Sequence, residues 1–167
     1  MKKTKYLSFG WDPGANGGLA CAHINEDKQI TFIDVIRFSK STDQDILLFM
    51  AKNLEHVDSA FQAFGVLERV NAMPGQGVSS TFKFGVAYGK AIMAFTSQAI
   101  PFILVPPASW QRELGMTKKG ASKTEHKRLL KQKAEQMFPA SMLADKIVNE
   151  NADAILLAAI AHQRMRF

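Results

Sequence analysis

The sequence contains a single cysteine, Cys21, so no internal disulfide can form and a disulfide-stapled scaffold is excluded. Its four histidines, His23, His56, His126 and His162, lack the spacing of zinc ligands. Any metal must then be held mainly by oxygen. No stretch approaches the run of about 18 apolar residues that a membrane span requires. The opening Met1-Lys2-Lys3-Thr4-Lys5 is not followed by a signal-type apolar segment, so a cytoplasmic protein with no membrane partner is expected. Internal repeats, low-complexity tracts and linkers are missing as well. Across 167 residues this leaves one expected domain, 1–167, with one core.

What is present is enough to build that core: 47% of residues are hydrophobic and 22% charged, far from the composition of a disordered chain. The formal charge is +6, and its location says more than its size. Between Gln111 and Lys133 stand eight basic residues (Arg112, Lys118, Lys119, Lys123, Lys127, Arg128, Lys131, Lys133) against two acidic ones, Glu113 and Glu125. This segment carries an excess equal to that of the whole chain. A solvated helix face is the bland explanation, and a phosphate-binding surface the functional one.

Hydrophobic periodicity divides the chain. Tyr6 to Trp11 alternates like a strand and runs into the turn Asp12-Pro13-Gly14. Gly17 to Ile24 and Gln29 to Ile36 read as two more strands around the polar turn Asn25-Glu26-Asp27-Lys28. From Ser41 the spacing turns helical, with Ser41 or Thr42 as cap, Ile46, Leu47, Met50, Leu54, Val57 and Phe61 on one stripe, and an end near Gly65. Val66-Leu67-Glu68 reads as a short buried strand and Asn71 to Val78 as a loop. Ser79 to Gln98 is again helical, with Gly85, Gly89, Ala91 and Ala94 as small residues that admit a close neighbour. Phe102 to Val105 is a strand, Ser109 to Leu114 a short helix, Gly115 to Ser122 a basic loop, Lys123 to Met137 a helix with Lys and Arg along its outer face, and Asn149 to Arg166 the last helix. The expected fold is α/β: a five-stranded mixed sheet, in which an antiparallel three-strand meander joins two parallel strands, flanked by helices. That element order is the order of the RNase H fold.

In such a sheet Asp12 and Glu68 end neighbouring parallel strands and face one crevice, where open α/β sheets place their ligands. Glu150 and Asp153, three residues apart on the expected last helix, would project from one face over it. Four carboxylates this close cannot all stay ionised without compensation, and hard oxygen ligands favour Mg²⁺ or Mn²⁺. Two such ions about 4 Å apart can activate a water and stabilise the leaving oxygen in phosphodiester hydrolysis. Each acid also has an ordinary reading: Asp12 in a turn, Glu68 at a strand end, Glu150 and Asp153 at a helix N-terminus. Their combination in this element order favours the metal site. Asp27, Asp34, Asp43, Asp45, Asp58, Glu135 and Asp145 lack such placement and are expected to face solvent.

Phe9-Gly10-Trp11-Asp12-Pro13-Gly14 resembles the opening motif of RuvC-type Holliday junction resolvases, Glu68-Arg69-Val70 their second acidic motif, and Glu150-Asn151-Ala152-Asp153-Ala154 their closing motif. The resemblance runs through nearly the whole chain in order and spacing. It implies a metal-dependent endonuclease of the RNase H superfamily that cuts branched DNA as a two-fold dimer, with Asp12, Glu68, Glu150 and Asp153 as both metal ligands and catalytic residues. It also implies that Lys118, Lys119 and Lys123 hold DNA backbone and that helix 79–98 is a dimer element; in the loop after Glu68, Met73 or Gln76 is the side chain expected to enter the junction centre in place of the family's aromatic. Two departures stand out: Glu at 150, where Asp or His is more usual, and the loop Asn71 to Ser80, whose Met-Pro-Gly-Gln-Gly replaces the bacterial aromatic and looks closer to phage and other divergent members. Trp110 reads as a core residue, with stacking on a base as the alternative. Competing functions are another RNase H-like nuclease, for RNA–DNA hybrids or transposon ends, a junction-binding protein without catalysis, and an actin-like-fold phosphotransferase, which would need a second phosphate loop and usually a second domain.

Overall fold

The structure, a computed structural model, describes residues 4–71, 75, 77–116 and 120–166. In chain order it comprises β1 (Tyr6–Asp12), β2 (Gly18–Ile24), β3 (Ile30–Arg37), α1 (Asp43–Leu54), β4 (Ala63–Glu68), α2 (Val78–Ser97), β5 (Phe102–Val105), α3 (Pro107–Glu113), α4 (Lys123–Met137) and α5 (Ala152–Arg164), with single 3₁₀ turns at Phe38–Lys40, Ala60–Gln62 and Ala140–Met142. The strands form one sheet in the order β3-β2-β1-β4-β5. β1, β2 and β3 are antiparallel neighbours, while β4 runs parallel to β1 and β5 parallel to β4. The expected mixed sheet is therefore present.

Alternation along β1 explains how the sheet divides its core. Leu7, Phe9 and Trp11 face α1 and α2, where they join Ile46, Met50, Ala91 and Phe95. Ser8, Gly10 and Asp12 take the opposite face, covered by α4 and α5, where Val66, Trp110, Leu130 and Ile155 are buried. Gly10 sets the spacing there: a Cβ built on it would lie 2.1 Å from the Ala158 nitrogen and 2.2 Å from the Ala154 carbonyl oxygen. The α5 backbone thus rests directly on β1, and any side chain at position 10 would push it off. This contact brings the first turn of α5 beside the end of β1.

Three expected boundaries shift. α1 ends at Leu54 rather than near Gly65, and β4 begins at Ala63. The His56 N–H reaches only the Asn53 carbonyl and the Val57 N–H only that of Leu54, a tightening that ends the helix. Ser59 and Gln62 then cap a 3₁₀ turn in reciprocal fashion. Phe61, expected on the buried stripe, is 85% exposed. The other end of α1 matches expectation, with Thr42 as cap and Asp45 completing a capping box. α5 begins at Ala152 rather than Asn149, because the Asn151 side chain binds the preceding turn, accepting from the Val148 N–H at 2.8 Å and donating to the Lys146 carbonyl at 3.1 Å. Asp34 is half-buried rather than solvent-facing and accepts a hydrogen bond from Asn53. Among the described residues no helix is long and apolar enough to cross a membrane.

Candidate active site

β1 and β4 pair in register up to Trp11 opposite Leu67, so Asp12 and Glu68 stand one step further on at the same level of adjacent strands. Their side chains point to the α5 side, as do Gly10 and Val66 two residues earlier. Asp153 lies in the first turn of α5, next to the Ala154 that presses on Gly10. Three of the four expected acids are thereby brought together, and all are buried: Asp12 is 7% exposed, Glu68 9% and Asp153 6%.

The fourth stands apart. Glu150 precedes α5 instead of lying on it, is half-exposed, and accepts a hydrogen bond from Ser39 at 2.8 Å. The expected shared helix face for Glu150 and Asp153 fails because the Asn151 side chain delays the helix start.

Each buried acid has its own support. The Asp12 carboxylate accepts from the Gly14 N–H at 3.1 Å, and Gly17 packs so tightly beneath it that an added Cβ would lie 2.9 Å from Asp12 Cγ. Glu68 accepts a 3.0 Å hydrogen bond from the indole N–H of Trp110, a fully buried residue of α3. The core reading of Trp110 is therefore right, and its one polar atom is spent on an acid of the site. Asp153 accepts from the Lys127 ammonium at 2.8 Å, and that ammonium also lies 4.0 Å from Asp12. The second carboxylate oxygen of Asp153 is buried with no hydrogen-bond partner.

Burial and mutual repulsion dominate the electrostatics. Glu68 is pushed up to about 8, first by desolvation and then by the neighbouring Asp12 charge, with the Trp110 hydrogen bond and Lys127 opposing. Asp12 is raised by burial and by Asp153, against the pull of Lys127 and the Gly14 N–H. For Lys127, burial works against the charge, but Asp153, Asp12 and Glu68 outweigh it and raise its pKa. One ammonium serves three carboxylates.

This donor set fits a hard divalent cation: only oxygen ligands, a like-charge cluster short of positive charge, and a buried carboxylate oxygen left without a partner. As the side chains stand, no group of three or more His, Cys, Asp or Glu among the described residues is gathered closely enough to hold an ion.

The basic segment is partly described. Lys118 and Lys119 lie outside the described residues, as do Met73 and Gln76 in the loop after β4. Lys123 is exposed in the first turn of α4, behind the Ser122 cap. Sequence reasoning placed Lys127 with the other cations on the outer face of α4; the structure turns it inward. The signal lay in the buried stripe His126, Leu130 and Ala134, which puts position 127 at the margin of the packed face.

The small residues of α2 separate into two groups. Ala91 and Ala94 are buried in the core, whereas Gly85 and Gly89 have open space where a Cβ would stand. Beside those glycines, Val78, Phe82, Val86 and Met93 are exposed. An apolar groove of about 520 Å³ adjoins this stripe, lined by Trp11, Phe38, Leu47 and Met93 among others. It runs between α1 and α2 and reaches the turn after β1, where Pro13, Gly14 and Ala15 line it next to Asp12.

A mixed sheet in this strand order, flanked by helices on both faces, is an RNase H-like architecture. Within that class, RuvC of Thermus thermophilus matches with a TM-score of 0.56 at 16% identity, over 91% of this chain and 90% of that one. The structure of T. thermophilus RuvC in complex with a Holliday junction substrate matches with a TM-score of 0.57 at 15% identity, over the same shares. The chain has the RuvC fold. No protein-family model matches the sequence, and no curated protein matches it.

Proposed function

We propose that this protein is a structure-selective endodeoxyribonuclease that resolves Holliday junctions and related branched DNA. The observation that carries this reading is the convergence of Asp12, Glu68 and Asp153 at the ends of β1 and β4 and the start of α5, in a chain with the fold of RuvC. One of the matching structures holds a Holliday junction substrate, which supports branched DNA as the partner.

In this reading Asp12, Glu68 and Asp153 hold Mg²⁺, with Mn²⁺ as a substitute, in one or two ions per site. Bound there, the metal would supply the positive charge that activates water and stabilises the leaving oxygen of a phosphodiester. The chain's own contribution is placement. Gly10 lets α5 approach, the Gly14 N–H fixes Asp12, and Trp110 fixes Glu68. Lys118, Lys119 and Lys123 hold the DNA backbone, and Met73 or Gln76 enters the branch point. Phosphate contacts carry no sequence information, so branch shape governs selection and sequence preference at the cut is loose. Two symmetric nicks call for two sites, which a homodimer supplies. The exposed stripe of Val78, Phe82, Val86 and Met93, beside the open Gly85 and Gly89, is the surface for the second copy.

Cleavage of labelled four-way junctions by acid variants tests the assignment. Asp12→Asn, Glu68→Gln and Asp153→Asn each lose about 10³-fold or more in cleavage rate while binding the junction as well or better, since each removes a ligand and one negative charge facing phosphate. Glu150→Gln is the mildest of the four. Near-normal Mg²⁺-dependent cleavage by the Asp12 or Asp153 variant contradicts the site.

A further inference from the structure

Lys127 stands where an acid cluster needs positive charge. Its ammonium lies 2.8 Å from Asp153 and 4.0 Å from Asp12, and so bridges two of the three converging carboxylates. The neighbouring cations Lys123 and Arg128 on α4 are exposed, whereas the Lys127 side chain is only 35% exposed. The satisfaction it offers is incomplete: one Asp153 oxygen is paired, and the other stays buried without a partner. A single ammonium also leaves the three carboxylates with an excess of negative charge.

We propose that Lys127 is a removable counter-cation: it holds Asp12 and Asp153 together in the metal-free protein and is displaced from them when a divalent cation binds. The inference rests on the metal-site reading given above. A cation taken up by the same two carboxylates would sit about 2 Å from their oxygens and so only a few ångströms from the ammonium. At that separation, in a half-buried crevice where water screens poorly, the two cations repel each other strongly. The lysine is the party that can leave. Its head sits on a flexible four-carbon stem, and its helix position is four residues from the exposed Lys123, on the same ridge. Released, the ammonium joins the basic face proposed to meet phosphate. The device keeps buried acids paired while no metal is bound and adds a cation to the DNA surface once it is.

Direct binding of Mn²⁺, read from the electron paramagnetic resonance of the free ion, tests this without reference to cleavage. Lys127→Met binds Mn²⁺ about tenfold more tightly than wild type, the scale expected from losing one partly buried competing ion pair. Lys127→Arg, which keeps the charge, stays close to wild type, and Asp153→Asn binds weakly. In metal-free buffer the Met variant melts at a lower temperature than wild type, and Mn²⁺ raises its melting temperature by more. A second readout uses the wild-type protein: the Lys127 side-chain ammonium resonance is protected from exchange without metal and loses that protection on adding Mg²⁺. Wild-type binding of Mn²⁺ with unchanged or weaker binding by the Met variant overturns the role of Lys127 and leaves the metal site standing. Retention of the protected ammonium at saturating Mg²⁺ does the same. No binding of Mn²⁺ by wild type or the Met variant overturns both readings.

Discussion

At position 110 an indole N–H meets a buried carboxylate, and that pair shows how finely this site depends on single atoms. Without the Trp110 hydrogen bond, Glu68 would keep its burial and its repulsion from Asp12 but lose the donor that orients it. Trp110→Phe preserves most of the packing and is expected to lower the cleavage rate roughly 10–100-fold, the usual effect of removing a group that orients a metal ligand. Steady-state rates on a four-way junction, with circular dichroism to verify folding, check this. Asp12, Glu68 and Asp153 were legible because each sits at an element end that the sequence marks clearly. Glu150 was not, since the helix start depends on which backbone groups the Asn151 side chain binds, and periodicity does not report this.

A second residue-scale expectation concerns stability. His23 is buried and accepts from Thr4 at Nδ1 while its Nε2–H donates to Asn53, so both ring nitrogens are spent in the neutral form. Burial lowers its pKa below the ordinary 6.5; the Asn53 hydrogen bond and Asp34 oppose this, and His56 and Lys52 reinforce it. The unfolded chain therefore takes up this proton at a higher pH than the native protein does. The stability from neutral His23 is complete above pH 6.5 and is lost as pH falls from there through the lower native value. Chemical denaturation at about pH 7.5 and about pH 5.5, on either side of the ordinary histidine range, should show wild type losing more stability than His23→Gln over that interval. Equal losses would show that other groups carry the acid sensitivity.

Among the elements, α4 carries two jobs on neighbouring faces. His126, Leu130 and Ala134 bury it against α5 and the sheet, and its exposed flank presents Lys123 and Arg128. The sequence marks its limits well, from the Ser122 cap to Met137, whereas those of α1 are obscured. The apolar residues Val57 and Phe61 continue a helical spacing past the true end, where local hydrogen bonds of Asn53 and Ser59 stop the helix. Val57 still packs against the core from beyond the helix end, whereas Phe61 stays exposed, because spacing reports which residues are apolar and not whether each finds a core to enter. For the basic flank, changing Lys118, Lys119 and Lys123 together to Ala should weaken binding of all branched DNAs alike. The slope of log affinity against log salt should flatten by about one unit for each phosphate no longer neutralised. An unchanged slope would make the segment a solvated face.

On the scale of the whole molecule, the strand order and direction were legible from the meander followed by strand and helix alternation. The closeness of α5 to β1 was less so. That contact depends on Gly10, whose missing side chain admits a helix backbone, and a glycine in a strand can equally mark a bulge or a bend. The acid cluster depends on it, because it draws Asp153 to Asp12. The exposed stripe of α2 lies on the side of the sheet opposite α4 and α5, and the groove beside it extends to the turn after β1 at Pro13 and Gly14.

If this acid cluster cuts DNA selected by branching, the substrate alone decides where it acts. The direct measurement is cleavage of four-way junctions of scrambled sequence beside linear duplexes of the same arms, with and without Mg²⁺, with nicks mapped to the nucleotide. The expected result is Mg²⁺-dependent, symmetric nicks close to the crossover in many sequences, weaker cutting of three-way and flap structures, and intact linear duplex. Cutting confined to one short motif, equal cutting of linear DNA, or no Mg²⁺-dependent cutting of any junction would contradict it.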